Sequence, residues 1–176
     1  LFKFKFPYDY PHSPPNVTYC TNDGIIRFHP NLYINGKVCL SILNTWKGEQ
    51  WTGSITLRTI LLTLSSILQK DSLLLEPGIK ENDIWLEPYN KIIKYSTIKT
   101  AILNIKNKLY LEKSFYIFSE IIKDKFLENY DNIIKNLDEF KELNLVKINC
   151  KWYRINIQIK YNKIKSDLEK EYNESI

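Results

Sequence analysis

The stretch from Arg27 to Trp51, RFHPNLYINGKVCLSILNTWKGEQW, decides how the rest of the chain is read. It opens with His29-Pro30-Asn31. Asn35-Gly36 then makes a tight turn, because glycine tolerates positive φ, and Val38-Cys39-Leu40 carries a thiol on a short apolar segment. The thiol is expected at a loop edge. A cysteine acts as a nucleophile only as thiolate, and a free thiol of pKa about 8.5 is a few per cent ionised at neutral pH unless its surroundings help. Lys37 is the one charged residue close to Cys39 in sequence. Chemistry at Cys39 is therefore expected to rely on a reactive acyl donor arriving from elsewhere, which is the logic of a thioester relay.

HPN, the eight positions from Asn31 to Cys39, and CLSIL together resemble the active-site signature of ubiquitin-conjugating enzymes. Trp46 and Trp51 in TWKGEQW, the helix-like TLRTILLTLSSIL that follows, and Glu76-Pro77-Gly78 narrow the likeness. They resemble the large Z-type subgroup, in which extra residues containing TWxG separate the cysteine from the second tryptophan. The likeness runs from Phe4 to about Asn104 and more faintly beyond. Its motifs are specific in combination and weak singly. The resemblance implies an α+β, UBC-like fold, an antiparallel meander sheet with packed helices. In that fold a first helix and two strands precede FPYDYPHSPP, so the domain is expected to be N-terminally truncated, with an unprotected sheet edge. Leu1 in first place and the lack of any Met agree with that expectation. A partial conjugating core is expected over 1–107 and a mainly helical extension over 108–176.

The resemblance also implies roles, residue by residue. Cys39 would accept the C-terminal carboxyl of ubiquitin, or of a ubiquitin-like modifier, from an activating enzyme's thioester. It would then yield the acyl group to a substrate lysine or a ligase cysteine. A lone cysteine can also be a small buried hydrophobe. Asn31 either donates to the oxyanion of the attacked thioester or braces the active-site loop, and both roles stay open. His29 and Pro30 are expected to support that loop rather than move protons. Ser41 stands where many members have Asp, and Leu75 where an acidic or polar residue often orients the incoming lysine. Glu76 and Ser41 are the candidate substitutes. Pro14 and Pro15, with His12 at the loop tip, and Thr52 with Gly53 would lie on two ligase-facing loops, although turn chemistry alone also accounts for them.

Composition narrows the function classes. The formal charge of +5 arises from 25 Lys and Arg against 20 Asp and Glu scattered along the chain, the pattern of a solvated surface rather than a nucleic-acid patch. Cys20, Cys39 and Cys150 are widely spaced and form no CxxC pair, which argues against a disulfide or zinc framework and for a reducing cytosolic or nuclear setting. No apolar run approaches the ~18 residues a membrane span needs. No metal or nucleotide site is visible, so no cofactor is expected and ATP is left to the activating enzyme. The expected partners are the modifier, its activating enzyme and a ligase, with neither nucleic acid nor membrane. Z-type likeness implies ubiquitin, with a tandem ubiquitin-like modifier and a specialised activating enzyme as a second option. The wealth of Ile, Asn, Lys and Tyr points to an AT-rich genome.

LFKFKF alternates Lys with Phe2, Phe4 and Phe6 and predicts a half-buried strand, and Asn16–Thr21 a second one beyond a proline-rich loop. Thr56–Gln69 carries Leu57, Ile60, Leu61, Leu64, Ile67 and Leu68 at helical spacing, capped by Ser54 or Thr56. Residues 71–83 read as a loop turning at Gly78, and two short helices follow from Trp85. Spacings of three and four predict helices through Phe115, Phe126 and Phe140, and again from Tyr153 to Tyr172. Val146, Ile148, Cys150 and Trp152 alternate, which fits a short strand or a linker equally. Two rivals remain. Cys39, His29 and Asn31 are the residue types of a papain-like protease, but there the cysteine lies far upstream of its histidine. A catalytically inactive ubiquitin-conjugating-like module that binds ubiquitin or a ligase is the other.

Overall fold

The computed structural model describes residues 1–108 and 112–176, which pack as two compact units, Leu1–Leu86 and Glu87–Ile176. Packing thus divides the chain between Leu86 and Glu87. The partial conjugating core expected over 1–107 and the helical extension expected over 108–176 meet beside residues 109–111, which lie outside the described ones.

In the first unit, β1 (Phe2–Lys5) pairs antiparallel with β2 (Asn16–Tyr19), Phe2 opposite Tyr19 and Phe4 opposite Val17. Alternation puts Phe2 and Phe4 on the inner face and the lysines outside, and the Phe2 and Tyr19 rings lie 5.6 Å apart. Among the described residues the meander continues as isolated bridges: Thr18 with Lys37, His29 with Leu32, and Leu32 with Val38. The regular ladder therefore has two strands among the described residues, shorter than the sheet the resemblance implies.

Gly36 explains how the next segment comes so close. Its φ of +87° is open to glycine, and a Cβ there would sit 2.9 Å from Thr18 Cγ2 and 3.2 Å from the Tyr19 carbonyl oxygen. Its own carbonyl accepts from Tyr19 N–H at 2.8 Å. That close approach seats Val38 and Leu40 over the sheet, in a core with Tyr19, Leu32, Leu43, Trp51, Ile60 and Leu64.

Helix α1 (Leu57–Ile67) starts at Thr56, whose hydroxyl accepts from Thr59 N–H at 3.3 Å; Ser54 does not cap it. Its buried stripe is narrower than the spacing predicts. Ile60 and Leu64 are buried, whereas Leu57, Leu61 and Leu68 are exposed, because a two-stranded ladder covers only part of a helix face. The 71–83 stretch is not all loop: Ser72–Leu75 forms a 3-10 turn before Gly78, whose φ is +90°.

Beyond the division, α2 (Leu86–Ser96) runs without a break into a π-helical segment, Thr97–Asn104, where two separate helices were expected. Helices α3 (Ser119–Glu128), α4 (Tyr130–Asp138) and α5 (Tyr161–Asn173) follow. Between α4 and α5 lies an antiparallel pair, β3 (Lys147–Cys150) with β4 (Ile155–Gln158), joined through a 3-10 turn at Trp152–Arg154, so the alternation is a strand over 147–150 and the helix expected from Tyr153 begins only at Tyr161. Leu137, Ile159 and Leu168 are fully buried at the centre of this unit's core. Among the described residues no helix is long and apolar enough to cross a membrane.

Candidate active site

The Cys39 backbone is tied on every side. Its N–H donates to the Asn31 carbonyl at 2.8 Å, and the Asn31 side-chain amide donates back to the Cys39 carbonyl at 2.6 Å. This reciprocal pair spans the separation of eight positions from Asn31 to Cys39 and fixes their spacing physically. One Asn31 Nδ2 proton is committed to the brace; the second makes no hydrogen bond among the described residues. Bracing and donation to a developing oxyanion are therefore compatible in one side chain.

His29 holds the loop from beneath. It is 1% exposed, and its Nδ1 accepts from Asn31 N–H at 3.0 Å. Burial drives the imidazole pKa down to about 4, with the Ile67 backbone opposing the shift and the Arg27 charge adding to it. A ring that is neutral at pH 7 and already accepting at Nδ1 serves the loop. The Arg27 guanidinium donates to the Pro30 carbonyl and stacks on Tyr33, 3.8 Å from the ring centroid.

Cys39 itself is 2% exposed, and it lines a small cavity of about 70 Å³. Pro30, Asn31, Trp46, Leu75 and Glu76 share that lining, so the chain's acidic candidate and the loop of the thiol meet at one recess. Trp46 is half-exposed at its edge.

Residues 1–81 match the family described as ubiquitin-conjugating enzyme. Those residues belong to that family. The chain is 36% identical to ubiquitin-conjugating enzyme E2 Z of Xenopus tropicalis, over 72% of this chain and 45% of that protein. The human E2 Z is 37% identical over 60% of this chain and 30% of its own length. The human dual E2 ubiquitin-conjugating enzyme/E3 ubiquitin-protein ligase BIRC6 is 38% identical over 66% of this chain, a region amounting to 3% of that protein. The chain spans less than half the length of these curated relatives.

Within the ubiquitin-conjugating region, the cavity gathers Cys39, Asn31, Pro30 and Glu76 but neither Ser41 nor His29. Ser41 opens the 3-10 turn Ser41–Leu43 and packs under Gly48, where a Cβ would lie 3.1 Å from its own. His12, Pro14, Pro15, Thr52 and Gly53 sit apart from the cavity. Their two loops meet each other at Pro11: its carbonyl accepts from the Trp51 indole at 2.8 Å and lies 3.7 Å from where a Gly53 Cβ would stand. His12, Thr52 and Gly53 are exposed, Pro14 is half-buried and Pro15 buried.

Sequence reasoning missed Arg27 and Thr45. Nothing in the pattern marks Arg27. Thr45 stood inside the TWxG motif, whose signal was read for its tryptophan alone.

Proposed function

We propose that Cys39 accepts ubiquitin, or a ubiquitin-like modifier, as a thioester from an activating enzyme and passes it to a lysine amine, with a ligase docking at the Pro14–Pro15 and Thr52–Gly53 loops. What carries the reading is the recess itself: a thiol, a side-chain amide with a second donor, and a carboxylate line one cavity inside a ubiquitin-conjugating family region. In the transfer step the amine nitrogen attacks the thioester carbonyl, and the carbonyl electrons move to oxygen, where Asn31 donates a hydrogen bond. The C–S bond then breaks, Cys39 leaves as thiolate, and the amine proton passes to a base. Glu76 is the candidate acid for orienting the amine and accepting that proton. No metal or nucleotide takes part, because the energy is already stored in the incoming thioester. The names borne by the relatives support the reaction class.

Incubation with activating enzyme, ATP and ubiquitin, read on a non-reducing gel, tests the proposal. A reductant-labile band is expected from the unmodified chain, and from Cys20→Ser and Cys150→Ser. Charging that survives Cys39→Ala would refute the assignment, and no charging at all would return the chain to a module that binds without transferring.

A further inference from the structure

Around Cys39, the flanking peptides need as much control as the cysteine itself, because they set where the Cα–Cβ bond points. Thr45 supplies that control. Its hydroxyl oxygen accepts from Leu40 N–H at 2.9 Å and lies 2.7 Å from the Val38 carbonyl and 3.0 Å from the Leu40 carbonyl. One hydroxyl has one proton, and the nearer acceptor, Val38, takes it. The Leu40 carbonyl is then served by Thr45 N–H at 3.2 Å. A single side-chain atom thus bonds both the residue before the cysteine and the residue after it.

Asn31 takes what Thr45 leaves, the N–H and carbonyl of Cys39. Together the two residues engage both backbone N–H groups nearest the thiol, those of Cys39 and Leu40. Neither can swing round to an oxyanion without breaking a bond, so donation there falls to side chains. The remaining freedom of the thiol is its own χ1 rotation. Thr45 also directly precedes Trp46, which lines the Cys39 cavity.

We propose that Thr45 is a positioning residue for acyl transfer, aligning the Cys39 thioester through its hydroxyl; this rests on the reading of Cys39 as the acyl acceptor. Thr45→Val keeps the shape and removes the hydroxyl, and Thr45→Ser keeps the hydroxyl and removes the methyl. Each full chain is charged, separated from activating enzyme, and discharged to a series of free lysine concentrations. In Thr45→Val the maximal discharge rate should fall about tenfold, with the half-saturating lysine concentration unchanged, since misalignment slows the step and not amine binding. Thr45→Ser should remain within about threefold of the unmodified chain, on the same ground that the aligning hydroxyl is kept.

A purely structural role lowers the yield of charged protein but not the rate per charged molecule. Unchanged discharge in Thr45→Val would overturn the proposal, as would a Thr45→Ser rate as slow as that of Thr45→Val. If Thr45→Val does not fold, Thr45→Ala replaces it, and the same comparison with Thr45→Ser decides. An unmodified chain that never charges would retire the Cys39 reading itself, a different and separately visible failure.

Discussion

His29 is held neutral by its surroundings, and that has a consequence for stability. An unfolded histidine titrates near 6.5, whereas in the fold the ring does so at about 4. Between those values the unfolded chain binds a proton that the folded chain refuses. The stabilisation is therefore complete above pH 6.5 and is lost as pH falls through 4, by roughly 3 kcal/mol in all. Urea unfolding at pH 7 and pH 5, compared between the unmodified chain and His29→Asn, isolates the effect, because the carboxylates are common to both. The unmodified chain should lose about 2 kcal/mol more over that interval. Parallel losses would mean that the ring is not buried neutral. Asn31 carries two duties, and they separate in kinetics. Asn31→Ala removes the brace on the Cys39 carbonyl, worth ~1 kcal/mol of stability, together with any oxyanion donation, worth ~3 kcal/mol or about a hundredfold in rate. Discharge to free lysine should slow far more than loading; equal slowing, with a lowered melting temperature, would leave bracing as its only role. The identity of these residues was legible in HPN and CLSIL. The reciprocal bond between Asn31 and Cys39 was not, since spacing alone does not say which atoms meet.

At the scale of elements, local pattern was read well where one face met one neighbour. β1 and β2 follow from the Phe and Lys alternation and the prolines between them. The misreading of the stretch before α5 comes from periods that coincide. Tyr153, Ile157 and Tyr161 recur every four residues, which suits a helix, but with Ile155 and Ile159 they also recur every two, which suits a strand. Pairing with β3 decides for the strand. In α1 the apolar spacing was correct and the width of its cover was not; Leu57, Leu61 and Leu68 stay exposed because sequence does not announce how many strands lie beneath a helix. The turn at Gly36 is the element on which the thiol's placement depends. Gly36→Ala combines a left-handed backbone, which costs about 1–2 kcal/mol for an L-residue, with a contact 2.9 Å from Thr18. We expect a lower melting temperature and slower charging together, since the segment to Cys39 must lift off β2. A chain that tolerates Ala there with unchanged melting would contradict that placement.

Among the described residues the molecule has two cores. The first gathers Leu32, Val38, Leu40, Trp51 and Ile60 about the candidate site; the second gathers Leu137, Ile159 and Leu168. The family match ends at residue 81, close to the division after Leu86, while the likeness to ubiquitin-conjugating enzyme E2 Z of Xenopus tropicalis covers 72% of the chain and so runs on into the second unit. The central claim is that this unit offers one thiol, and not its other cysteine, to an activated carboxyl. Cys39→Ser tests it most directly, because an oxygen ester is a poorer acyl donor than a thioester and persists. After incubation with activating enzyme, ATP and ubiquitin, the reductant-resistant adduct of Cys39→Ser is digested and mapped by peptide mass spectrometry. The account predicts the modifier's C-terminal residues in ester linkage on residue 39. An adduct mapped to Cys20 or Cys150, or none on residue 39 while the unmodified chain charges, would contradict it.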